Sequence, residues 1–174
     1  GSSVSAYVQW TTTGFGLTQW FRIYVYFTAN PAANHDILQT RGDSSTRSRL
    51  RITTAGKVAV VNGSTVAATS SASIGLNQWV RIEYKLDISS SAGVLEAKLF
   101  NTPDSSTADE TITASSLNTG TTETTNVRIG LPFAAANVGP LWLDDLEANN
   151  TGYPGPAATD ATATPSTIAA VAGV

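Results

Sequence analysis

The glutamates of the chain are not spaced for acid–base catalysis by a pair of glutamates on one strand. Retaining glycoside hydrolysis uses two carboxyl groups about 5–5.5 Å apart. The five glutamates here are scattered, and no two share a strand face at a spacing of two or four residues. The chain has no cysteine and one histidine, His35, which we expect in a loop with a local hydrogen bond. Thiolate sites and multi-histidine metal centres are therefore excluded, and we predict a protein that is not an enzyme and needs no cofactor.

Large aromatic and cationic side chains alternate with apolar ones along residues 20–28. If this segment is a strand, its inner face carries Phe21, Ile23, Val25 and Phe27. Its other face then carries Trp20, Arg22, Tyr24 and Tyr26. These four side chains could stack on sugars or bury against another subunit. They could equally pack beneath a long loop or beneath the C-terminal tail.

Three arginines occupy alternate positions, Arg47, Arg49 and Arg51, and so share one face of a predicted strand. Leu50 and Ile52 lie on the opposite face. The arginines could bind an acidic glycan or an acidic partner surface. The alternative is a solvated strand face whose arginines pair with acids on the neighbouring strand.

The composition excludes several function classes. Only 13% of the residues are charged, about half the usual share, and the net charge is −3. That charge disfavours nucleic acid as a partner, because electrostatic binding of nucleic acid needs a clustered basic surface. No run approaches the roughly 20 apolar residues that a membrane-spanning helix needs, so we predict no membrane partner. Because the chain has no methionine, even at position 1, we expect it to be processed, excised from a longer protein, or only the ordered part of one.

Short alternating segments separated by Gly, Pro, Asn, Asp and Ser predict an all-β protein with antiparallel sheets. The hydroxyl-rich surface, with 25 Thr and 18 Ser, is common on proteins outside cells. Residues 154–174 are Ala, Thr, Pro and Gly with a single charge, so we expect an extended tail that contacts other polypeptide. The predicted strands are 6–11, 20–28, 37–41, 49–53, 57–61, 79–88, 94–100, 111–114, 126–131 and 141–148.

The alternation in segment 79–88 predicts which of its side chains are core and which are solvated. Its charges predict how it pairs with the neighbouring strand. Val80, Ile82, Tyr84 and Leu86 should be core, and the face carrying Arg81 and Glu83 should be solvated. Replacing Arg81 by Ala should therefore cost far less than replacing Ile82. In the hairpin to 94–100, only one register pairs Lys85 with Glu96 and Glu83 with Lys98. We predict that register.

Four stretches together resemble the concanavalin A-like, laminin-G-like jelly-roll superfamily, and more closely its forms in actinobacterial and phage structural proteins. They are LNQWVRIEYKLD (76–87), GVLEAKLFNTPDSSTADETITASSLNTG (93–120), VRIG (127–130) and LWLDDLEANNTGYPGP (141–156). The resemblance spans about residues 20–156. It implies a two-sheet antiparallel jelly-roll sandwich over residues 1–153, followed by the tail 154–174.

The adjacent acids Asp144 and Asp145 must point to opposite faces of a strand unless a bulge intervenes. A carboxylate directed inward needs a partner. The resemblance implies a structural Ca²⁺ site as one interpretation. The other is a salt bridge to an arginine such as Arg128 or Arg81, or hydrogen bonds to a loop backbone, and the choice stays open.

The resemblance implies a non-catalytic interaction module displayed on a virion surface, as a capsid decoration or a tail or spike appendage. Its partners would be a capsid or tail protein, further copies of itself, or a glycan. The alternative is a secreted carbohydrate-binding module from a longer bacterial protein, with Trp20, Tyr24 and Tyr26 as its platform. A polysaccharide-active enzyme is a third, weaker interpretation, because the same sandwich serves many functions.

Overall fold

Alternation of apolar and polar residues builds antiparallel strands throughout the computed structural model, which describes residues 4–42, 45–135 and 140–157. Turns rich in Gly, Asn and Ser separate the strands. The described residues contain no helix that is long and apolar enough to cross a bilayer. The strands are β1 (Val4–Thr11), β2 (Thr18–Phe27), β3 (His35–Gly42), β4 (Ser45–Ile52), β5 (Lys57–Asn62), β6 (Thr65–Ser73), β7 (Trp79–Asp87), β8 (Gly93–Phe100), β9 (Glu110–Leu117), β10 (Asn126–Ala135) and β11 (Leu141–Asn149).

The strands form two antiparallel sheets, which confirms the predicted jelly-roll sandwich. The six-stranded sheet has the order β1-β10-β3-β4-β5-β6, and the five-stranded sheet has the order β11-β2-β7-β8-β9. In each sheet, one edge strand pairs with a strand that is far away in the sequence. Trp10 of β1 pairs with Val127 of β10, and Asn149 of β11 pairs with Trp20 of β2.

The core lies between the two inner faces. Phe21, Ile23, Val25 and Phe27 of β2 are at most 1% exposed, and they pack on inward side chains of the six-stranded sheet such as Leu50 and Val60. Burying each of these side chains contributes roughly 1.5–3 kcal/mol relative to leaving it in water. The predicted core residues are confirmed, because the structure buries Val80, Ile82, Tyr84 and Leu86 completely.

The register of the β7–β8 hairpin is also confirmed. Lys85 lies opposite Glu96, and Glu83 lies opposite Lys98. A shift of two residues would place like charges opposite each other, so charge complementarity selects this register.

The prediction that the other face of β7 is solvated is wrong. Arg81 is 1% exposed and Glu83 is 3% exposed. The turn after β8 covers this face, because the carbonyl of Ser105 accepts a 2.7 Å hydrogen bond from Arg81 Nη2. The Phe100 ring lies against the guanidinium of the same arginine, 3.8 Å from Cζ to ring centroid.

Two further expectations need correction. Strand β6 was not predicted, because its sequence TVAATSSAS has neither large apolar residues nor clear alternation. His35 is not a loop residue but the first residue of β3, and it is 1% exposed. Its two ring nitrogens have no hydrogen-bond partner among the described residues.

Candidate functional site

The outer face of the five-stranded sheet brings together most of the chemistry-bearing side chains singled out from the sequence. Strand register arranges its side chains in rows that cross the sheet. The first row is Asn149, Trp20, Lys85 and Glu96, and the second is Glu147, Arg22, Glu83 and Lys98. The third is Asp144, Tyr24, Arg81 and Phe100, and the fourth is Trp142, Tyr26 and Trp79.

The fourth row is an aromatic cluster made by Tyr26, Trp79 and Trp142. Register places the three residues side by side on β2, β7 and β11. The Tyr26 ring lies edge-on to both tryptophans, with centroid separations of 5.6 Å to Trp79 and 5.4 Å to Trp142. All three side chains are partly exposed. The aromatic cluster therefore offers apolar rings with polar N–H and O–H edges at the open end of this face.

Arg22 is buried in the second row and is held by two acids of β11. Its guanidinium lies 2.9 Å from Asp145 Oδ1 and 3.0 Å from Glu147 Oε2. A bulge between Asp144 and Glu147 makes this possible. Asp145 has a φ of 48° there, and both Asp144 and Asp145 stay exposed rather than turning one carboxylate inward.

The bulge determines the partner of one of the two adjacent aspartates. Asp145 forms a salt bridge, but with Arg22 and not with Arg128 or Arg81. No three His, Asp or Glu side chains are grouped to hold a metal ion in residues 4–42, 45–135 and 140–157.

Arg81 and Glu83 form a buried polar pair in the middle of the face. Arg81 Nε lies 3.6 Å from Glu83 Oε1, which is an ion-pair distance but too long for a hydrogen bond. Neither atom has a hydrogen-bond partner in the described part of the chain. Burial of two charges in this way costs desolvation energy, which is offset by their mutual attraction and, for Arg81, by the Ser105 hydrogen bond and the Phe100 contact.

A segment following β11, residues 150–157, crosses the first three rows and is called here the covering segment. Tyr153 Oη donates to Glu96 Oε1 at 2.6 Å, and Lys98 Nζ lies 3.7 Å from the centroid of the Tyr153 ring. Arg22 Nη1 donates to the carbonyl of Gly155 at 3.1 Å. Burial, followed by the hydrogen bond to Glu96, raises the pKa of Tyr153, so its phenol keeps the proton that it donates.

The covering segment contacts Tyr24, one of the predicted platform residues, which is buried. The Tyr24 hydroxyl accepts a 2.9 Å hydrogen bond from the amide of Ala157, and Tyr24 is only 8% exposed. Trp20 is partly exposed, with Lys85 Nζ 5.9 Å from its ring. Of the aromatic residues singled out on β2, Tyr26 alone belongs to the aromatic cluster.

Trp79 and Trp142, which complete that cluster, were not recognised from the sequence as part of the platform. The parity of β7 already placed Trp79 on the outer face. Trp142 is two residues before Asp144 on β11, so the two share a face. Cross-strand pairing over more than 100 residues was the missing information.

The expected contact of the tail with other polypeptide can be examined only for its first residues. Residues 154–157 lie on the outer face, whereas 158–174 are outside the described residues. The division into a sandwich over 1–153 and a tail over 154–174 stays a prediction.

The three arginines of β4 lie on the other sheet and point away from the core. Arg49 Nη1 lies 3.2 Å from Asp36 Oδ2, and Arg51 Nε lies 2.6 Å from Asp36 Oδ1. Asp36 comes from the neighbouring strand β3, which is the pairing with a neighbouring acid that was weighed as the alternative. Whether this face also binds a partner stays a prediction.

Arg47 has a different environment from the other two arginines. It donates to the carbonyl of Thr119 at 3.0 Å and to the Thr122 hydroxyl at 2.5 Å. These bonds fix the β9–β10 loop beside an open polar depression of about 490 Å³. Arg47 thus stabilises the conformation of the β9–β10 loop.

Comparison with solved structures identifies sandwiches of the same fold at very low sequence identity. The PL-14 alginate lyase from Aplysia kurodai superposes with a TM-score of 0.58 at 9% identity, over 79% of this chain and 71% of the lyase. Trypanosoma rangeli sialidase in complex with sialic acid gives 0.56 at 12% identity, over 86% of this chain and 24% of the sialidase. A double mutant of Congerin II gives 0.52 at 8% identity, over 83% of this chain and all of Congerin II.

The chain spans only about a fifth to a quarter of the sialidase chains that it matches. No protein-family model matches the sequence. No curated protein matches it either.

The prediction that the protein is not an enzyme is contradicted by these neighbours. It relied on the absence of a paired-glutamate strand, of cysteine and of more than one histidine, yet the same sandwich occurs in a sialidase and in alginate lyases. The absence of a glutamate pair excludes one type of mechanism only. At these identities the likeness shows the fold and nothing finer.

The neighbours show no link to actinobacterial or phage structural proteins, so that part of the resemblance is unsupported. What the sheets and their neighbours do establish is a jelly-roll β-sandwich.

Proposed function

We propose that the protein binds carbohydrate through the aromatic cluster of Tyr26, Trp79 and Trp142. The observation that carries this proposal is a row of three partly exposed aromatic rings at the open end of one sheet face. Sugar rings present C–H groups that stack on aromatic faces, while indole and phenol edges can bond to hydroxyls. The neighbours that act on alginate or hold sialic acid share this fold and thereby support the class of ligand.

The three rings of the aromatic cluster are held in fixed positions by their strands and by contacts with one another. Each ring lies on a strand of the five-stranded sheet, and the edge-on contacts at 5.4 and 5.6 Å hold Tyr26 between the tryptophans. A ligand therefore meets an ordered platform, which lowers the entropy cost of binding.

The test is a glycan array followed by calorimetric titration with Trp142→Ala and Trp79→Ala. Each change should weaken binding at least about fivefold, because one aromatic contact is worth roughly 1 kcal/mol beyond the area that it buries. Trp10→Ala is the matched control, since Trp10 is 42% exposed but lies on β1 of the other sheet. Equal losses for Trp10→Ala and Trp142→Ala would contradict the proposal, as would the absence of any glycan ligand.

We further propose that this binding takes place outside a cell. The composition supports it, since 25 Thr and 18 Ser give a hydroxyl-rich chain. The specific settings proposed are a virion surface, with a capsid or tail protein as partner, or a longer secreted bacterial protein. Quantitative mass spectrometry of purified particles and of culture medium distinguishes them, because a virion component would appear at fixed stoichiometry with a capsid or tail protein.

A further inference from the structure

The charges of the chain are divided unequally between the two sheets. All ten Lys and Arg residues lie within the described residues, and six of them belong to strands of the six-stranded sheet. The outer face of the five-stranded sheet receives the remaining four: Arg22, Arg81, Lys85 and Lys98. Its strands also present six acids there: Glu83, Asp87, Glu96, Asp144, Asp145 and Glu147.

Each of the four cations on this face already has a partner within the protein. Arg22 contacts Asp145 and Glu147, and Lys85 Nζ lies 2.7 Å from Asp87 Oδ2. Lys98 lies on the Tyr153 ring beneath the covering segment.

Arg81, the cation nearest the aromatic cluster by register, is covered by Phe100 and by the Ser105 carbonyl. An anionic ligand at the cluster could reach this guanidinium only by displacing both groups. The face therefore has no open cation to offer.

Asp144 is the charged residue that borders the aromatic cluster and stays exposed. It lies two residues from Trp142 on the same strand face and pairs in register with Tyr24. Its Oδ1 accepts a 2.8 Å hydrogen bond from the amide of Asp145. The other oxygen, Oδ2, can accept hydrogen bonds from a ligand, and a carboxylate accepts without donating.

We propose that the aromatic cluster selects neutral glycans over carboxylated ones and that Asp144 is the specificity-determining residue. This inference rests on the proposed carbohydrate binding. Asp144 would accept hydrogen bonds from sugar hydroxyls, which both glycan types carry, while repelling a uronate or sialate carboxylate. The selected class thus differs from the alginate and sialic acid named for the fold neighbours.

The experiment compares matched ligands that differ only at C6, where the neutral sugar carries a hydroxymethyl group and the uronate a carboxylate. β-1,4-linked mannohexaose and β-1,4-linked hexamannuronate share a backbone, and other neutral and carboxylated pairs on the array extend the comparison. Calorimetric titrations at low salt should give a Kd for the neutral member at least about fivefold lower. One like charge at contact distance in water corresponds to about that factor. The ratio should shrink at 1 M NaCl, where the screening length falls to about 3 Å.

Asp144→Asn is the decisive variant, because asparagine keeps the oxygen that accepts from the Asp145 amide and replaces the charged Oδ2 by a neutral NH2 group, which donates instead of accepting. The preference for the neutral member should fall about fivefold. Glu123→Gln is the matched control. Glu123 accepts from the amides of Gly14 and Gly16, just before β2. The first residue of that strand, Thr18, lies roughly 26 Å along the strand from Tyr26. Glu123→Gln should leave the preference unchanged.

The outcomes separate this inference from the function on which it rests. Tighter binding of the carboxylated member, or a preference unaffected by Asp144→Asn, would overturn the inference and leave carbohydrate binding standing. Failure of every pair to bind would overturn both. A preference that Glu123→Gln reduces as much as Asp144→Asn would show an effect of net charge rather than of this residue, and would also overturn it.

Discussion

At the scale of single residues, the outer face of β7 shows how burial can reverse an expectation drawn from alternation. Arg81 alternates with core residues and was predicted to be solvated, yet it is as buried as Ile82. Its environment is an ion pair with Glu83, an aromatic ring and one carbonyl. Removing one member of such a pair leaves the other charge buried without compensation.

We therefore predict that Arg81→Ala destabilises the protein by about 3–5 kcal/mol. Ile82→Ala should cost about 2–5 kcal/mol through lost burial and a cavity, so the two changes should be comparable. Urea unfolding measures both. Lys98→Ala serves as the control for removing a cation from the same face, and a loss for Arg81→Ala below 1 kcal/mol would show that the pair is not buried in solution.

The buried His35 leads us to predict that the stability of the protein depends on pH. Burial lowers the pKa of its imidazole below the usual 6.5, although the nearby Asp36 carboxylate opposes part of that shift. The unfolded chain therefore takes up a proton at a pH where the folded chain does not. Stability is then fully present above about pH 6.5 and is lost as the pH falls toward the folded pKa.

The free energy of unfolding should decrease between pH 7 and pH 5, by at most about 1.4 kcal/mol per pH unit. Because His35 is the only histidine, His35→Leu should remove most of this dependence. Urea midpoints of the wild type and the variant at both pH values provide the measurement. An unchanged slope in His35→Leu would assign the effect to carboxylates.

At the scale of elements, the β7–β8 hairpin was predictable and strand β6 was not. Charges on neighbouring positions of a short hairpin determine its register locally. Strand β6 depends on a distant group, because the Glu110 carboxylate accepts from the amides of Ser71 and Ala72 at 2.7 and 2.6 Å. Like strand β6, the aromatic cluster was not predictable from local sequence, because β11 and β2 meet only in the folded chain. Alternation identified Tyr26, whereas Trp142 required the long-range pairing.

The covering segment is an element without regular structure whose attachment depends on Tyr153. We predict that Tyr153→Ala speeds hydrogen exchange of the Ala157 amide, because the Glu96 hydrogen bond and the Lys98 contact are lost together. Tyr7→Ala is the control, since Tyr7 contacts an arginine in a similar way on the other sheet. Unchanged exchange at Ala157 would mean that Arg22 and Tyr24 hold the segment without Tyr153.

At the scale of the whole molecule, the sandwich separates charge. The described strands of the six-stranded sheet contain six cations and one acid, Asp36, whereas those of the five-stranded sheet contain four cations and seven acids. Although the net charge of the chain is only −3, the strands of the six-stranded sheet are net positive and those of the five-stranded sheet are net negative. Such a molecule orients in the field of a charged surface.

The pairing of β1 with β10 has a consequence for how the protein is made. Trp10 and its partner Val127 are 117 residues apart in the chain. Ribosomes add about 5–20 residues per second, so the first strand waits roughly 6–23 s for its neighbour. During that interval the backbone N–H and C=O groups of β1 have no neighbouring strand to pair with. Strand β1 is thus synthesised long before its partner and can enter the six-stranded sheet only after β10 has been made.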